Sequence, residues 1–276
     1  MQVREHDGLA DRQGIGVSAE LPGASDALAV VDVRKSFGHV EALRGVSLRV
    51  GRGEVVALVG DNGAGKSTLM KVMCGALTLD AGCVEYGGSL VDDAGVQAAA
   101  AAGVGVVYQD LALAPDLSVV SNLHLGHVRV RRGVLGRLGV LDREAMRAAA
   151  TRSLRELGTD MIDVDATVAE LSGGQRQAIA IARAVGWASS AVLLDEPTAA
   201  LGVRQTAAVC DLIRSVAKRG LGVLLISHDM PRVLEVADRV AVMRHGVLAA
   251  DLRAADTTIP EVVAAMLGYS GAEAAR

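Results

Sequence analysis

Aromatic side chains are nearly missing from this chain of 276 residues: one Phe, one Trp and three Tyr, 2% of the sequence. The core must therefore be aliphatic. Five rings (Phe37, Tyr86, Tyr108, Trp187 and Tyr269) are also too few for a base-stacking platform. Lysine is just as scarce. Only Lys35, Lys66, Lys71 and Lys218 stand among 28 basic residues, and the net charge is −4. That balance excludes a nucleic-acid binder working by bulk charge. The three cysteines, Cys74, Cys83 and Cys210, show no C-x-x-C spacing. Neither a disulfide framework nor a zinc site is expected, and a reducing cytosol suits the chain. No apolar run reaches the length of about 18 residues that a transmembrane helix needs. Near the N-terminus, Arg4, Glu5, His6, Asp7, Asp11 and Arg12 interrupt any apolar leader, which argues against a signal peptide. A soluble cytosolic chain is expected, held at a membrane only by a partner.

What is present has a clear order. Residues 1–27 are polar and aperiodic and read as a disordered extension. Residues 28–33 and 46–50 alternate like strands, and Val-Val-Ala-Leu-Val at 55–59 is a continuous apolar run suited to a strand buried on both faces. A helix is expected over 67–74, ended by Gly75. Residues 104–108 form another β-branched run. From about 110 to 168 strand signals fade and the chain reads as a helical insertion; in it Asp142 caps a helix whose Met146, Ala150, Leu154 and Leu157 recur at helical spacing. Strand runs return at 191–194, 222–226 and 240–243, with helices at 175–185 and 204–218 between them. Arg244-His245-Gly246 reads as a turn between two short strands. Strands alternating with helices predict an α/β fold with a mostly parallel sheet. Residues 28–258 are expected to form one domain, with 259–276 as a tail.

Gly60-Asp61-Asn62-Gly63-Ala64-Gly65-Lys66-Ser67 fits G-x-x-x-x-G-K-[ST] between a buried strand and a helix. Glycines let the backbone curl so that successive N–H groups face phosphate oxygens, and the helix that opens at Ser67 and Thr68 adds its positive end. Lys66 is placed to reach the β- and γ-phosphates and Ser67 to ligate Mg²⁺. The lysine scarcity sharpens this reading. A chain that otherwise prefers arginine keeps a compact ammonium at position 66, where a guanidinium fork would not fit between phosphates. Farther on, Ala191-Val192-Leu193-Leu194-Asp195-Glu196 is an apolar strand ending in two carboxylates. Asp195 is positioned to hold Mg²⁺ through water, and Glu196 to polarise an attacking water. A third motif, Leu171-Ser172-Gly173-Gly174-Gln175, offers a hydroxyl and free N–H groups at the start of a helix rich in Ala and Ile. It is a second anion-binding terminus, which one site does not need but a dimer does.

With these three motifs in this order, the chain resembles the nucleotide-binding subunit of an ATP-binding cassette (ABC) transporter over residues 28–255. The resemblance implies the fold, a P-loop ATPase of ABC type with a mostly parallel core sheet, a small antiparallel part and a helical subdomain. It implies ATP and Mg²⁺, with Phe37 against adenine, Gln109 as a Mg²⁺ and water ligand coupled to the membrane domain, and His228 at the γ-phosphate. It also implies a homodimer, with Ser172, Gly173, Gly174 and Gln175 facing the nucleotide held by the partner, on the cytoplasmic face of the cell membrane. One departure stands out. Where the family has S-A-L-D, whose Asp contacts the opposite subunit, this chain has Ala199-Ala200-Leu201-Gly202, which supplies no carboxylate.

The stretches at 107–113, 171–184 and 195–202 are similar to monosaccharide importers of the ribose, xylose and fructose type, which implies an integral-membrane permease and an extracytoplasmic sugar-binding protein as partners. An importer of another solute, a non-transport ABC ATPase and a non-catalytic regulatory cassette are the alternatives. A small-molecule kinase is disfavoured because Leu171–Gln175 would have no role in it. His124 and His127 are expected on a helix without metal. The cluster Arg129, Arg131, Arg132 and Arg137 reads as a solvated loop or a contact to lipid headgroups or the membrane partner. Asp238 and Arg239 are expected to be structural.

Overall fold

Two antiparallel strands, β1 (Asp26–Phe37) and β2 (Val40–Gly51), open the computed structural model of the chain, which describes residues 26–91, 95–159 and 161–269. The disordered extension expected over 1–27 lies outside the described residues as far as position 25; Asp26 and Ala27 already belong to β1. β3 (Val55–Val59) follows, then α1 (Lys66–Met73), β4 (Ala81–Tyr86), β5 (Ser89–Leu90), α2 (Val96–Ala101) and β6 (Val104–Val107). Three helices stand in the region expected as an insertion: α3 (Val119–Leu123), α4 (Val134–Arg137) and α5 (Arg143–Glu156). The second half runs α6 (Gly173–Trp187), β7 (Ala191–Asp195), α7 (Val203–Lys218), β8 (Gly222–Ile226), α8 (Met230–Val236), β9 (Arg239–Arg244), β10 (Val247–Arg253) and α9 (Ile259–Leu267).

The strands make two sheets. One is antiparallel, in the order β2-β1-β4-β5. The other has the order β10-β9-β3-β8-β7-β6, parallel throughout except for β10 on the edge. Every residue of β3 and β8 is buried, as a parallel strand covered on both faces requires. The strand period of two shares the core between the faces. Val192, Leu194, Val223 and Leu225 join Ile179 and Ile181 of α6 and Ile213 of α7 on one side. Leu193, Leu224 and Ile226 join Leu69 and Met73 of α1 and the strands of the small sheet on the other. Tyr86 is the single aromatic in this core, so packing is aliphatic as the composition requires.

In the helical region, Asp142 Oδ1 accepts the Ala145 N–H at 3.0 Å and caps α5, whose Met146, Ala150 and Leu154 face inward. Buried Asn122 clips the preceding loop: its amide accepts from Ala114 N–H at 2.8 Å and donates to three carbonyls, of Ala114, Leu117 and Ser118. The two histidines depart from the expectation. His124 ends α3, its ring held by the Val120 carbonyl at 3.0 Å, while His127 lies beyond the helix and stacks on Trp187 at 3.9 Å. Among the described residues no helix is long and apolar enough to cross a membrane, and no cluster of acidic, His and Cys side chains is built to hold a metal.

β4, β5, α2, α8 and α9 were not anticipated. α9 falls where a tail was expected. At its start, Thr258 donates both its N–H and its hydroxyl to Glu261 Oε2, at 2.7 and 2.9 Å, and Val262 and Ala264 are buried against the rest of the fold.

Asp238 and Arg239 earn their structural reading. Asp238 accepts the Val55 N–H at 2.8 Å, tying the start of β3 to β9. Arg239 joins Glu54 at 2.6 Å to Asp251 at 2.7 Å and also donates to the Arg49 carbonyl. Truncating it strands two half-buried carboxylates. Arg239→Ala is therefore expected to cost about 2 kcal/mol of stability, measured as a lowered urea midpoint; an unchanged midpoint contradicts this role.

Candidate functional site

The phosphate loop leaves the buried end of β3 and turns into α1, and its backbone is bent at three glycines, Gly60, Gly63 and Gly65, with φ of 147°, 82° and 105°. These angles suit glycine alone, and two of the three also need its missing side chain. A Cβ on Gly60 would run into the Met243 carbonyl, and one on Gly65 would come within 2.7 Å of the Ala42 carbonyl. The β9–β10 turn closes over the loop: Gly246 N–H donates to the Ala64 carbonyl at 3.0 Å, and Arg44 N–H donates to the Gly246 carbonyl at 2.8 Å. So the turn read from Arg244-His245-Gly246 is part of the wall.

Lys66 folds its ammonium back over the loop onto the carbonyls of Gly60 at 2.7 Å and Asp61 at 3.0 Å. Burial lowers its pKa, opposed by the charges of Glu196, Asp61 and Asp195. Beside it opens a cleft of about 700 Å³ that gathers Phe37, Asn62, Gly63, Gly65, Lys66, Ser67 and Thr68. Phe37 is half exposed, with Lys35 5.9 Å from its ring centre. An exposed ring and a curl of backbone N–H groups at one cleft suit a nucleotide, base on the ring and phosphates in the loop. Sequence reasoning missed the rest of the lining beside the Gly246 turn: His39, Val40, Glu41, Ala42 and Arg44 of the β1–β2 hairpin, and His245. No motif marks them, because the hairpin reaches the loop through tertiary packing.

The acidic pair sits at the end of β7. Asp195 pairs with Ile226 of β8, and burial raises its carboxyl, with Lys66 and Lys71 countering. Glu196, just past the strand, takes φ 49°, a left-handed conformation that strains a side-chain-bearing residue. This bend turns its carboxylate to His228, which it meets at 2.9 Å between Oε2 and Nδ1. Two residues that sequence motifs treat separately are thus one pair.

Gln109 lies at the same sheet edge. β6 ends at Val107, paired with Leu194, two residues before Gln109. Its side chain is exposed. The turn after it is pinned by Arg183 of α6, whose guanidinium donates to the carbonyls of Leu111 at 2.8 Å and Ala112 at 2.7 Å. Both residues take positive φ, 58° and 46°. Sequence reasoning passed over Arg183, whose partners are some seventy residues away in sequence.

Ser172, Gly173, Gly174 and Gln175 stand apart, and none of them lines the phosphate-loop cleft. They open α6 as a capping box: Gln175 N–H donates to Ser172 Oγ at 3.3 Å, and Ser172 N–H to Gln175 Oε1 at 2.9 Å. As at any helix start, the N–H groups of Gly173 and Gly174 have no carbonyl one turn back to meet. The chain thus presents two helix termini suited to anions, and in a single copy only one belongs to the cleft.

Known proteins resemble the chain over most of its length. Residues 43–199 match the ABC transporter family. The chain is 43% identical to the fructose import ATP-binding protein FrcA of Rhizobium meliloti over 236 residues, 85% of this chain and 91% of that one. It is 41% identical to the xylose/arabinose import ATP-binding protein XylG of Sulfolobus acidocaldarius over 246 residues, 89% of this chain and 96% of that one. Among solved structures, the ADP conformation of MJ1267, an ATP-binding cassette of an ABC transporter, superposes with a TM-score of 0.73 at 26% identity, covering 91% of this chain and 98% of that one.

The Glu196–His228 pair gives the site a pH signature. The hydrogen bond to Glu196, then its charge, raises the His228 pKa above 6.5. What the pair adds to stability is therefore full below pH 6.5 and lost as pH climbs through the raised value. In a histidine NMR titration, Glu196→Gln is expected to bring the His228 midpoint down toward 6.5. Identical midpoints in the two proteins would show that the pair does not form in solution.

Proposed function

The chain belongs to the ABC transporter family as an ATP-binding, ATP-hydrolysing cassette, and from that premise we propose that it powers import of a monosaccharide. Two copies would work together at the cytoplasmic face of the cell membrane, on an integral-membrane permease supplied by an extracytoplasmic sugar-binding protein. The observation that carries the sugar reading is the similarity to fructose and xylose/arabinose import subunits over 91% and 96% of their lengths.

In this reading, adenine stacks on Phe37. The backbone of Gly60, Asp61, Asn62, Gly63, Ala64 and Gly65 holds the phosphates, together with Lys66, whose ammonium exchanges the Gly60 and Asp61 carbonyls for phosphate oxygens. Thr68 lines the same cleft. The oxygens of Ser67, Asp195 and Gln109 are the hard donors that Mg²⁺ takes, and the ion would neutralise charge on the phosphate oxygens. Glu196 accepts a proton from the water that attacks the γ-phosphorus. The bond from that phosphorus to the β–γ bridging oxygen breaks, and ADP and phosphate leave. His228 holds Glu196 in place and faces the γ-phosphate. Ser172, Gly173, Gly174 and Gln175 approach that phosphate from the second copy, so each nucleotide lies between two chains. Closure on ATP and reopening after hydrolysis then reach the permease through the turn after Gln109 and the helical region.

Glu196→Gln keeps the shape of the site and removes the base. It is expected to bind ATP as the wild type does, to lose about a hundredfold or more in turnover, and to elute as a dimer when ATP is present. A variant that stays monomeric and hydrolyses ATP at the wild-type rate sinks the proposal. Purified with its permease in vesicles, the wild type is expected to raise its ATPase rate when the sugar-loaded binding protein is added; a rate indifferent to sugar contradicts the import reading.

A further inference from the structure

The turn between β7 and α7 and the first turn of α7 seat one side chain each on the start of α6. Leu201 lies against Gly173, where a Cβ would come within 3.2 Å of Leu201 Cδ2. Gln205 lies against Gly174, where a Cβ would stand 3.0 Å from both Cβ and Cγ of Gln205. The two glycines are thus bare surfaces on which the turn rests, and a side chain on either would push it away. Gln205 is fixed at its other end as well. Its Oε1 accepts the Gly202 N–H at 3.2 Å. Gly202 opens α7 with no side chain of its own to accept an N–H of the first turn, and Gln205 supplies only the reciprocal half of a capping box by accepting the N–H of Gly202.

The path from the acidic pair to this contact is short and stiff. It starts at Glu196, held by His228, and the Ala199 N–H donates to the Glu196 carbonyl at 3.1 Å. Ala200 is bent to φ 59°, and the Leu201 N–H donates to the Thr198 carbonyl at 3.3 Å. A segment so tightly turned has little slack. Glu196 is thus joined to Leu201 and Gln205 by a short hydrogen-bonded run of chain that ends on Gly173 and Gly174.

We propose that Gln205 is a positioning residue that couples the two nucleotide sites of the dimer: its stem sets where the α6 terminus stands according to the state of Glu196 in the same chain. The proposal rests on the composite-site reading, in which that terminus serves the nucleotide of the other copy. Gln205 touches neither nucleotide. Its methylenes pass a shift of Glu196 on to Gly174, while its amide bonds the Gly202 N–H, a contact the coupling does not depend on. The coupling needs no carboxylate at position 202.

Steady-state ATPase rates against ATP concentration, on the full chain, test this with Gln205→Ala and Gln205→Met. Met keeps the stem and loses the acceptor; Ala loses both. ATP affinity, measured by calorimetry on each protein, is expected to match the wild type, since Gln205 lies outside the phosphate-loop cleft. The wild type is expected to show a Hill coefficient above 1, and Gln205→Ala to lose that cooperativity with about a tenfold lower kcat and an unchanged KM. Gln205→Met is expected to retain cooperativity, which a merely stabilising role for the amide would not allow. Wild-type kcat and cooperativity in Gln205→Ala overturn the coupling, and so does a Gln205→Met as impaired as Gln205→Ala. A wild type that dimerises on ATP yet hydrolyses it without cooperativity also overturns it. A chain that forms no dimer overturns the composite-site reading first, and that failure is told apart by size exclusion alone.

Discussion

The phosphate loop is held in a shape that only glycine permits, and the rest of the site depends on it. β3, buried along its whole length, fixes where the loop begins, and α1 fixes where it ends. Between them, the carbonyls of Met243 and Ala42 stand where side chains on Gly60 and Gly65 would have to go. These walls come from distant parts of the chain, the end of β9 and the start of β2. The curl is therefore a joint product of both sheets. Because it is fixed, Lys66 leaves it in one direction, α1 points its positive end into the cleft, and the β1–β2 hairpin can bring Phe37 to the cleft's rim.

A second constraint is division of labour between two helix termini. α1 begins in the cleft and α6 begins elsewhere, held by its own capping box. The acidic pair lies on the side of the first, and the turn that follows it is seated on the second. In the dimer we propose, this arrangement makes each chain a donor to its partner's site and a recipient at its own. The contact of Gln205 with Gly174 then links the two roles within one chain. Arg183 adds a parallel tie, since it fixes the turn after Gln109 to the same helix α6. α6 is thereby tied to both the α7 side and the Gln109 side of the molecule.

How much of this was legible in the sequence depends on whether the signal is local. The buried strands at 55–59 and 222–226, the Asp142 cap and the phosphate loop are all written in neighbouring residues, and the structure has them where the sequence puts them. The two rare residues singled out by composition, Phe37 and Lys66, line one cleft. What escaped is long-range or weakly patterned. α2 is a run of alanines without periodicity, and β4 and β5 are short strands beside glycine turns. α9 begins with Thr258, a polar residue that looks like the edge of a tail until Glu261 is seen to complete its cap. The hydrogen bond from His228 to Glu196, the clamp of Gly246 on Ala64 and the two carbonyls under Arg183 join residues that no motif connects. The glycines at 173 and 174 were read as openings for phosphate, and the structure adds that they are also contact surfaces for Leu201 and Gln205.

The central claim is that a working site is built from two copies of this chain. Mixing two inactive variants tests it most directly. Lys66→Ala spoils the phosphate loop and leaves the α6 terminus intact, and Ser172→Arg does the reverse. Each alone should lack ATPase activity, and an equal mixture should regain it, because random pairing yields heterodimers with one intact composite site. A mixture as inactive as its parents would contradict the account.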